Sequence, residues 1–145
     1  MTSFFRSWIL FPACVLTLVA GACAKPSVQE QFVRSDEARM GVYAFELDLD
    51  SSSRSYDIYL YSSTVLDTLL DEVRLDVQWI SPSGGAASET VYLRDVGKRG
   101  VKELYRSGVE PDEGGVWRLR VKVHDPGDDL TGLGIICESH GTRQT

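Results

Sequence analysis

Cysteine and histidine are scarce in this chain, at three and two residues in 145. A closed structural zinc site takes four ligands, most often Cys and His, and a small disulfide scaffold takes a dense, even set of cysteines. Neither can be assembled from this supply. The one zinc-like spacing, Cys137 to His140 in "CESH", is half a site whose other half is missing. Cys137 therefore reads as an apolar wall residue of a strand, and His140 as the start of a tail. Positive charge is also short: 15 Lys and Arg face 21 Asp and Glu, for a formal net charge of −6. A chain of this sign does not track a phosphate backbone, which excludes nucleic acid and disfavours an anionic membrane surface. No Ser lies in a Gly-x-Ser-x-Gly elbow. His124 adjoins Asp125, but neighbouring strand residues point to opposite faces, so the acid cannot orient the imidazole along the strand. Carboxylates gather in "HDPGDD" without the spacing of a calcium loop, and Pro and Gly among aspartates make a turn. The expectation is a protein without catalytic residues, metal or cofactor.

Long apolar runs are absent too, with one exception at the N-terminus. After Met1–Arg6 the sequence is apolar from Trp8 to Ala22, which falls short of the roughly 20 residues of a membrane span and contains Pro12. One positive charge, an apolar core and a small-residue exit make a secretory signal. Two cleavage readings are open. Ala22-Cys23-Ala24 suits ordinary signal peptidase acting before Lys25. Ala20-Gly21-Ala22-Cys23 is similar to a bacterial lipobox, with Ala20 where Leu is typical, and cleavage before Cys23 would leave a thiol to carry a diacylglycerol. We adopt the second reading: residues 1–22 are a lipoprotein signal peptide and Cys23 is the lipidation site. Cys14 leaves with the signal, so no intrachain disulfide is possible and stability rests on packing. Each methylene buried in the bilayer contributes about 0.8 kcal/mol, so two or more acyl chains hold firmly.

What remains is enough for one domain. Residues 23–40 are mostly polar and read as a flexible tether with a reach on the order of 50 Å. Ser27-x-x-Glu30 offers a capping box for a short helix within it. From Gly41 the hydrophobic period is 2. In "VYAFELDLD" Tyr43, Phe45, Leu47 and Leu49 share a face. In "YDIYLYSS" Ile58 and Leu60 oppose Tyr59 and Tyr61. "EVRLDVQWI" turns Val73, Leu75, Val77 and Trp79 inward, and "GGVWRLRVKVHD" does the same with Trp117, Leu119, Val121 and Val123. "ETVYLRDV" and "GLGIICES" complete the explicit strands, the pattern blurs from Val101 to Glu113, and a helix is available only near Leu66 to Glu72. The fold expected over residues 41–140 is an antiparallel β-sandwich of about six to eight strands, with 141–145 a tail.

Two surface patterns have functional readings. Arg118, Arg120, Lys122 and His124 make a basic ladder on one face. It either pairs across strands with Glu46, Asp48 and Asp50, the preferred reading, or leaves Arg118, Arg120 and Lys122 as a docking stripe for an acidic partner. Tyr56, Tyr59, Tyr61 and Tyr92 offer a platform for stacking sugars, or strand residues of a second buried face.

The order of these segments resembles the GldH family of gliding-motility lipoproteins. The resemblance runs from a lipoprotein signal through "YAFELDLD", "YDIYLYSS", a strand into "SPSG", "ETVYLRD" and "GVWRLRVKV" to "LTGLGIICE". It departs where "SSTVLDTLLDEVRLDV" replaces Arg and Tyr-x-Asn-Leu features, and where "GKRG" replaces a Trp-x-Gly. It implies a non-enzymatic, lipid-anchored envelope protein, in the outer membrane, that supports gliding machinery or an analogous envelope protein complex. A carbohydrate-binding lipoprotein is the alternative.

Overall fold

The computed structural model describes residues 27–52, 54–125 and 127–141, so the signal, Cys14, the lipidation site Cys23 and residues 142–145 lie outside the described residues. The alternating stretches form strands β1 (Val28–Arg34), β2 (Val42–Leu49), β3 (Arg54–Thr64), β4 (Leu70–Ile80), β5 (Ala86–Val96), β6 (Lys102–Val109), β7 (Gly115–Val123) and β8 (Leu130–Gly141). Every pairing is antiparallel. Two four-stranded sheets result, ordered β1-β8-β3-β6 in sheet A and β2-β7-β4-β5 in sheet B. The fold is an all-β sandwich.

Alternation decides what fills the space between the sheets. Phe45, Leu47 and Leu49 of β2, Leu75 and Val77 of β4, and Leu119 and Val121 of β7 point inward from sheet B. Tyr56, Ile58 and Leu60 of β3 and Leu133, Ile135 and Cys137 of β8 meet them from sheet A. A fully buried aliphatic side chain contributes about 1.5–3 kcal/mol, and this packing does the work that cross-links do in disulfide-rich domains. Cys137 is unpaired and sealed in the core, where burial pushes its thiol up to about 12. It packs as a small apolar side chain, inert as a nucleophile.

Three expectations are corrected. The stretch read as a tether contains β1, paired with β8 over its whole length from Val28↔Glu138 to Arg34↔Gly132, so the domain begins at Val28 and not at 41. Its inward positions include Gln29 and Gln31, polar residues that hid the alternation, and the capping-box helix gives way to this strand. The helix near Leu66–Glu72 is a single 3-10 turn, Val65–Asp67. Leu66 there has φ +52°, which ends helical propagation, and Leu70 already pairs with Val96 in the sheet. The blurred stretch is β6, whose register against β3 shifts at Ile58 and again at Tyr59, breaking the period.

Because successive strands alternate in direction, the connections gather at two ends. The start of β1, the β2–β3 turn and residues 81–85 and 110–114 lie at one, called the near end. Residues 35–41, 65–69, 97–101 and 124–129 lie at the other.

A candidate binding cleft between two strand edges

The sandwich has two long seams, and they are built differently. On one, β1 of sheet A lies over the edge of β2 in sheet B. The Gln29 amide donates to the Asp48 carbonyl and accepts from the Asp48 N–H, both at 2.9 Å. Gln31 does the same to Glu46, accepting its N–H at 3.0 Å and donating to its carbonyl. A primary amide carries one donor and one acceptor in the geometry of a peptide group, so two glutamines stand in for a neighbouring strand. They occupy the open edge of β2.

On the opposite seam β5 faces β6. Toward the far end the Glu103 carboxylate of β6 accepts the Arg94 N–H of β5 at 2.8 Å, and Ser62 Oγ of β3 accepts the Gly97 N–H just past β5 at 3.0 Å. Toward the near end the two edges part. A cavity of about 610 Å³ opens between them, lined by Leu49, Trp79, Trp117, Val109, Pro111 and the polar side chains of Ser88, Glu89, Arg106, Glu110 and Asp112. That volume lies within the range of ligand pockets, about 300–1,000 Å³.

The walls follow from strand parity. Trp79 and Trp117 occupy the last and first inward positions of the neighbouring strands β4 and β7, where the core runs out toward the near end. Their rings meet edge to face, 6.1 Å apart at 75°. Tyr105 of β6 stacks on Trp79 at 6.3 Å, and its hydroxyl accepts the indole N–H at 2.9 Å. Trp117 donates its own N–H to the Glu113 carbonyl at 3.0 Å.

Glu89 supplies the charge. Alternation in "ETVYLRDV" puts it on the inward side of β5 with Val91 and Leu93, an acid in a row of core residues. Arg106 donates to one carboxylate oxygen and the Tyr105 hydroxyl to the other. The Arg106 bond holds the Glu89 carboxyl below its ordinary value, with Tyr105 adding to it, against the opposing effect of burial. Burial, with Glu89 beside it, pushes the Tyr105 hydroxyl up to about 12. The same pair raises Arg106. At neutral pH this is a fixed carboxylate, guanidinium and phenol. The Arg106 and Tyr105 hydrogen bonds fix the orientation of the Glu89 carboxylate and engage both of its oxygens.

Tyr105, Arg106 and Glu89 were not among the residues singled out from sequence. The parity of Glu89 was the available signal; β6 offered none, because its shifted register hid the strand.

The basic ladder stands on the outer face of sheet B, where Arg120 and Lys122 share a shallow hollow with Ser88 of the cleft rim. Glu46 sits opposite Arg118 in register, but Asp48 faces Val116, and the far-side partners of Arg120 and Lys122 on β4 are Gln78 and Asp76. Among the described residues, Arg118, Arg120 and Lys122 make no ion pair, and all three are exposed. The preferred pairing with Glu46, Asp48 and Asp50 is therefore corrected: strand register brings one acid alongside, and exposed side chains gain little by closing on it. His124 does find a carboxylate, Asp76 on β4 at 2.5 Å. Asp76 also accepts from Thr90 at 2.8 Å and lies 3.3 Å from Arg74, and it is lowered by the Thr90 bond first and His124 second. His140 of β8 pairs diagonally with Asp57 of β3 at 2.9 Å.

The four tyrosines are divided. Tyr56 is in the core, where its hydroxyl accepts the Asp50 N–H at 2.8 Å. Tyr59 and Tyr61 lie half-buried on the outer face of sheet A, and Tyr92 is exposed on the outer face of sheet B. They form no common platform. Compared with known proteins, the chain matches no family model and no curated relative.

Proposed function

We propose that this protein is a non-enzymatic binding module of the bacterial envelope, tethered through lipid on Cys23, and that the β5–β6 cleft receives its partner. The observation that carries the reading is the unequal treatment of the two seams. One edge is occupied by strand-mimicking glutamines, while the other is left open over two indoles and a fixed Glu89–Arg106–Tyr105 group. Half-buried aromatic side chains beside an oriented Arg are the composition of interface hot spots, which a partner desolvates on binding. The partner belongs to an envelope protein complex, the gliding machinery or its counterpart, as the resemblance to GldH-like lipoproteins suggests. Arg118, Arg120 and Lys122 add an unpaired positive strip to an otherwise acidic surface, suited to steering an acidic partner into place.

A photo-crosslinking amino acid at Ser88, in the cleft lining, tests the reading in native membranes. A discrete adduct from Ser88, absent from the same probe at exposed Arg39 and lost on Trp117→Ala, is the expected result. Equal adducts from both positions, or none from Ser88, would overturn it. The intact mass of the membrane-extracted protein tests the tether: residues 23–145 plus acyl chains are expected, and a chain starting at Lys25 without lipid refutes it.

A further inference from the structure

The outer face of sheet A carries a set of apolar side chains that neither core nor cleft uses. Val28 and Phe32 of β1 and Leu104 of β6 are 50%, 42% and 51% exposed. Ile136 of β8 and Tyr59 and Tyr61 of β3 lie half-buried between them. Strand register makes the surface continuous, since Phe32 and Tyr61 are both opposite Gly134, and Tyr59 is opposite Ile136 on one side and Leu104 on the other.

Two glycines flatten it. A Cβ at Gly132 would stand 2.1 Å from Cζ of Phe32, and one at Gly134 would stand 2.1 Å from Cζ of Tyr61. Each ring thus occupies the space of a missing side chain on β8. The rings lie side by side over that strand, with centroids 5.8 Å apart and planes inclined by 17°.

The charges on this face close on one another. Lys102 donates to Glu138 at 2.6 Å while lying 4.1 Å above the Tyr59 ring, Arg34 pairs with Asp36 at 3.3 Å, and the Tyr61 hydroxyl donates to Glu30 at 2.8 Å. His140 bonds Asp57 at 2.9 Å, so among the described residues the polar groups of this rim are engaged with one another while Arg118, Arg120 and Lys122 of β7 are not.

We infer that this face lies on the lipid bilayer, with Phe32, Tyr61 and Leu104 in the interfacial layer; the inference rests on the lipid at Cys23 proposed above. Chain length selects the occupant. Four residues separate Cys23 from Val28, so however they are arranged the start of β1 stays within about 18 Å of the Cα of the acylated cysteine. The far end also exposes apolar side chains, Met40, Leu66 and Leu69, but a domain standing on that end would lift the start of β1 about 20 Å off the bilayer, beyond the relaxed reach of those four residues. The loops of the near end are within reach but offer Asp50, Glu110, Asp112 and Glu113, with no large apolar side chain exposed among them. Among the described residues, the face of sheet A joins the start of β1 to the broadest continuous run of apolar side chains, from Val28 and Phe32 to Tyr59, Tyr61 and Leu104. Aromatic rings with one wet edge favour the headgroup layer, and paired charges cost less to bring there than single ones. The excess of acidic over basic residues favours a zwitterionic surface over an anionic one. Sheet B with its basic strip then faces away from the membrane.

The test uses the acylated protein in phosphatidylcholine vesicles, with a nitroxide on Leu104→Cys or on Tyr92→Cys; Cys23 is blocked by lipid and Cys137 is buried. Oxygen and nickel-chelate accessibilities are read by electron paramagnetic resonance. The label at 104 should show severalfold lower nickel accessibility than that at 92, and Phe32→Glu should bring it to the value at 92 while the protein still floats with the vesicles. Equal water-type accessibility at both positions in a floating protein would overturn the inference and leave the tether standing. Protein that stays unbound would overturn both. Protection of position 104 only in native membranes would assign the face to a protein partner and equally overturn it.

Discussion

The two seams of this sandwich solve one problem in opposite ways. Each brings an edge strand of sheet A alongside an edge strand of sheet B, and each edge presents unpaired peptide groups. At β1–β2, Gln29 and Gln31 supply two strand-like amides and the edge is occupied. At β5–β6 a backbone N–H of β5 is taken up by β6 toward the far end, side chains of Glu89, Tyr105 and Arg106 bridge the middle, and the near end opens into an aromatic cavity. An occupied edge protects against unwanted pairing. An open edge with fixed polar groups is where a partner can add contacts the domain does not make for itself.

Replacing the centre of the open seam should have the largest effect. Trp79→Ala removes an indole that touches Tyr105 and Trp117 and frees the Tyr105 hydroxyl of its donor. We expect a loss of about 3 kcal/mol, at the low end for a core tryptophan because Trp79 is only half-buried, measured by urea denaturation. A loss below about 1 kcal/mol would mean that this seam is not organised around Trp79.

The occupied seam is broken by Gln29→Ala with Gln31→Ala. Partly exposed hydrogen bonds are modest, so the pair should cost about 1–2 kcal/mol. The sharper readout is association: the uncovered β2 edge should raise the molar mass seen by light scattering, whereas Trp79→Ala should not. If neither variant associates, the glutamines contribute stability without guarding the edge.

The charged bridge of the open seam responds to pH. Glu89 has its folded pKa lowered, as do Asp76 and Asp57, the last chiefly by the Gly108 N–H. Their contribution is therefore complete at neutral pH and is lost as pH falls through the folded values, below about pH 4. Glu89→Gln should cost about 1 kcal/mol at pH 7, discounted for partial exposure, and should make the acid loss shallower between about pH 5 and pH 3. An unchanged acid slope would show that Glu89 does not titrate differently on folding.

The smallest stability effect is expected outside both seams. Arg120→Ala removes a side chain that makes no ion pair among the described residues, so stability should stay within about 0.5 kcal/mol. Capture of the native partner should nevertheless weaken and lose part of its salt dependence.

Strands whose inward residues are apolar were plain in the sequence. In β2, β4 and β7, Phe45, Leu75, Val77, Leu119 and Val121 alternate with polar residues, and each points where parity says. The strands that escaped, β1 and β6, are the two edges of sheet A. An edge strand covers only part of the core, so its inward positions can be polar: Gln29 and Gln31 on β1, Glu103 on β6. The candidate site was half visible for the same reason. Trp79 and Trp117 were readable as inward residues, but Tyr105 and Arg106 lay on a strand hidden by its register shifts. Phe32, central to the face of sheet A, lay within a presumed tether.

The amino-acid sequence by itself determined the class of fold, the reliance on packing and the inward faces of the central strands, because these depend on period, composition and parity, which are local. Which edges are occupied, where Trp79 meets Glu89 and Arg106, and that Phe32 and Tyr61 lie over Gly132 and Gly134 were decided only by the tertiary structure. Those contacts join residues far apart in the chain, and the register that brings them together is set by the packing of whole sheets.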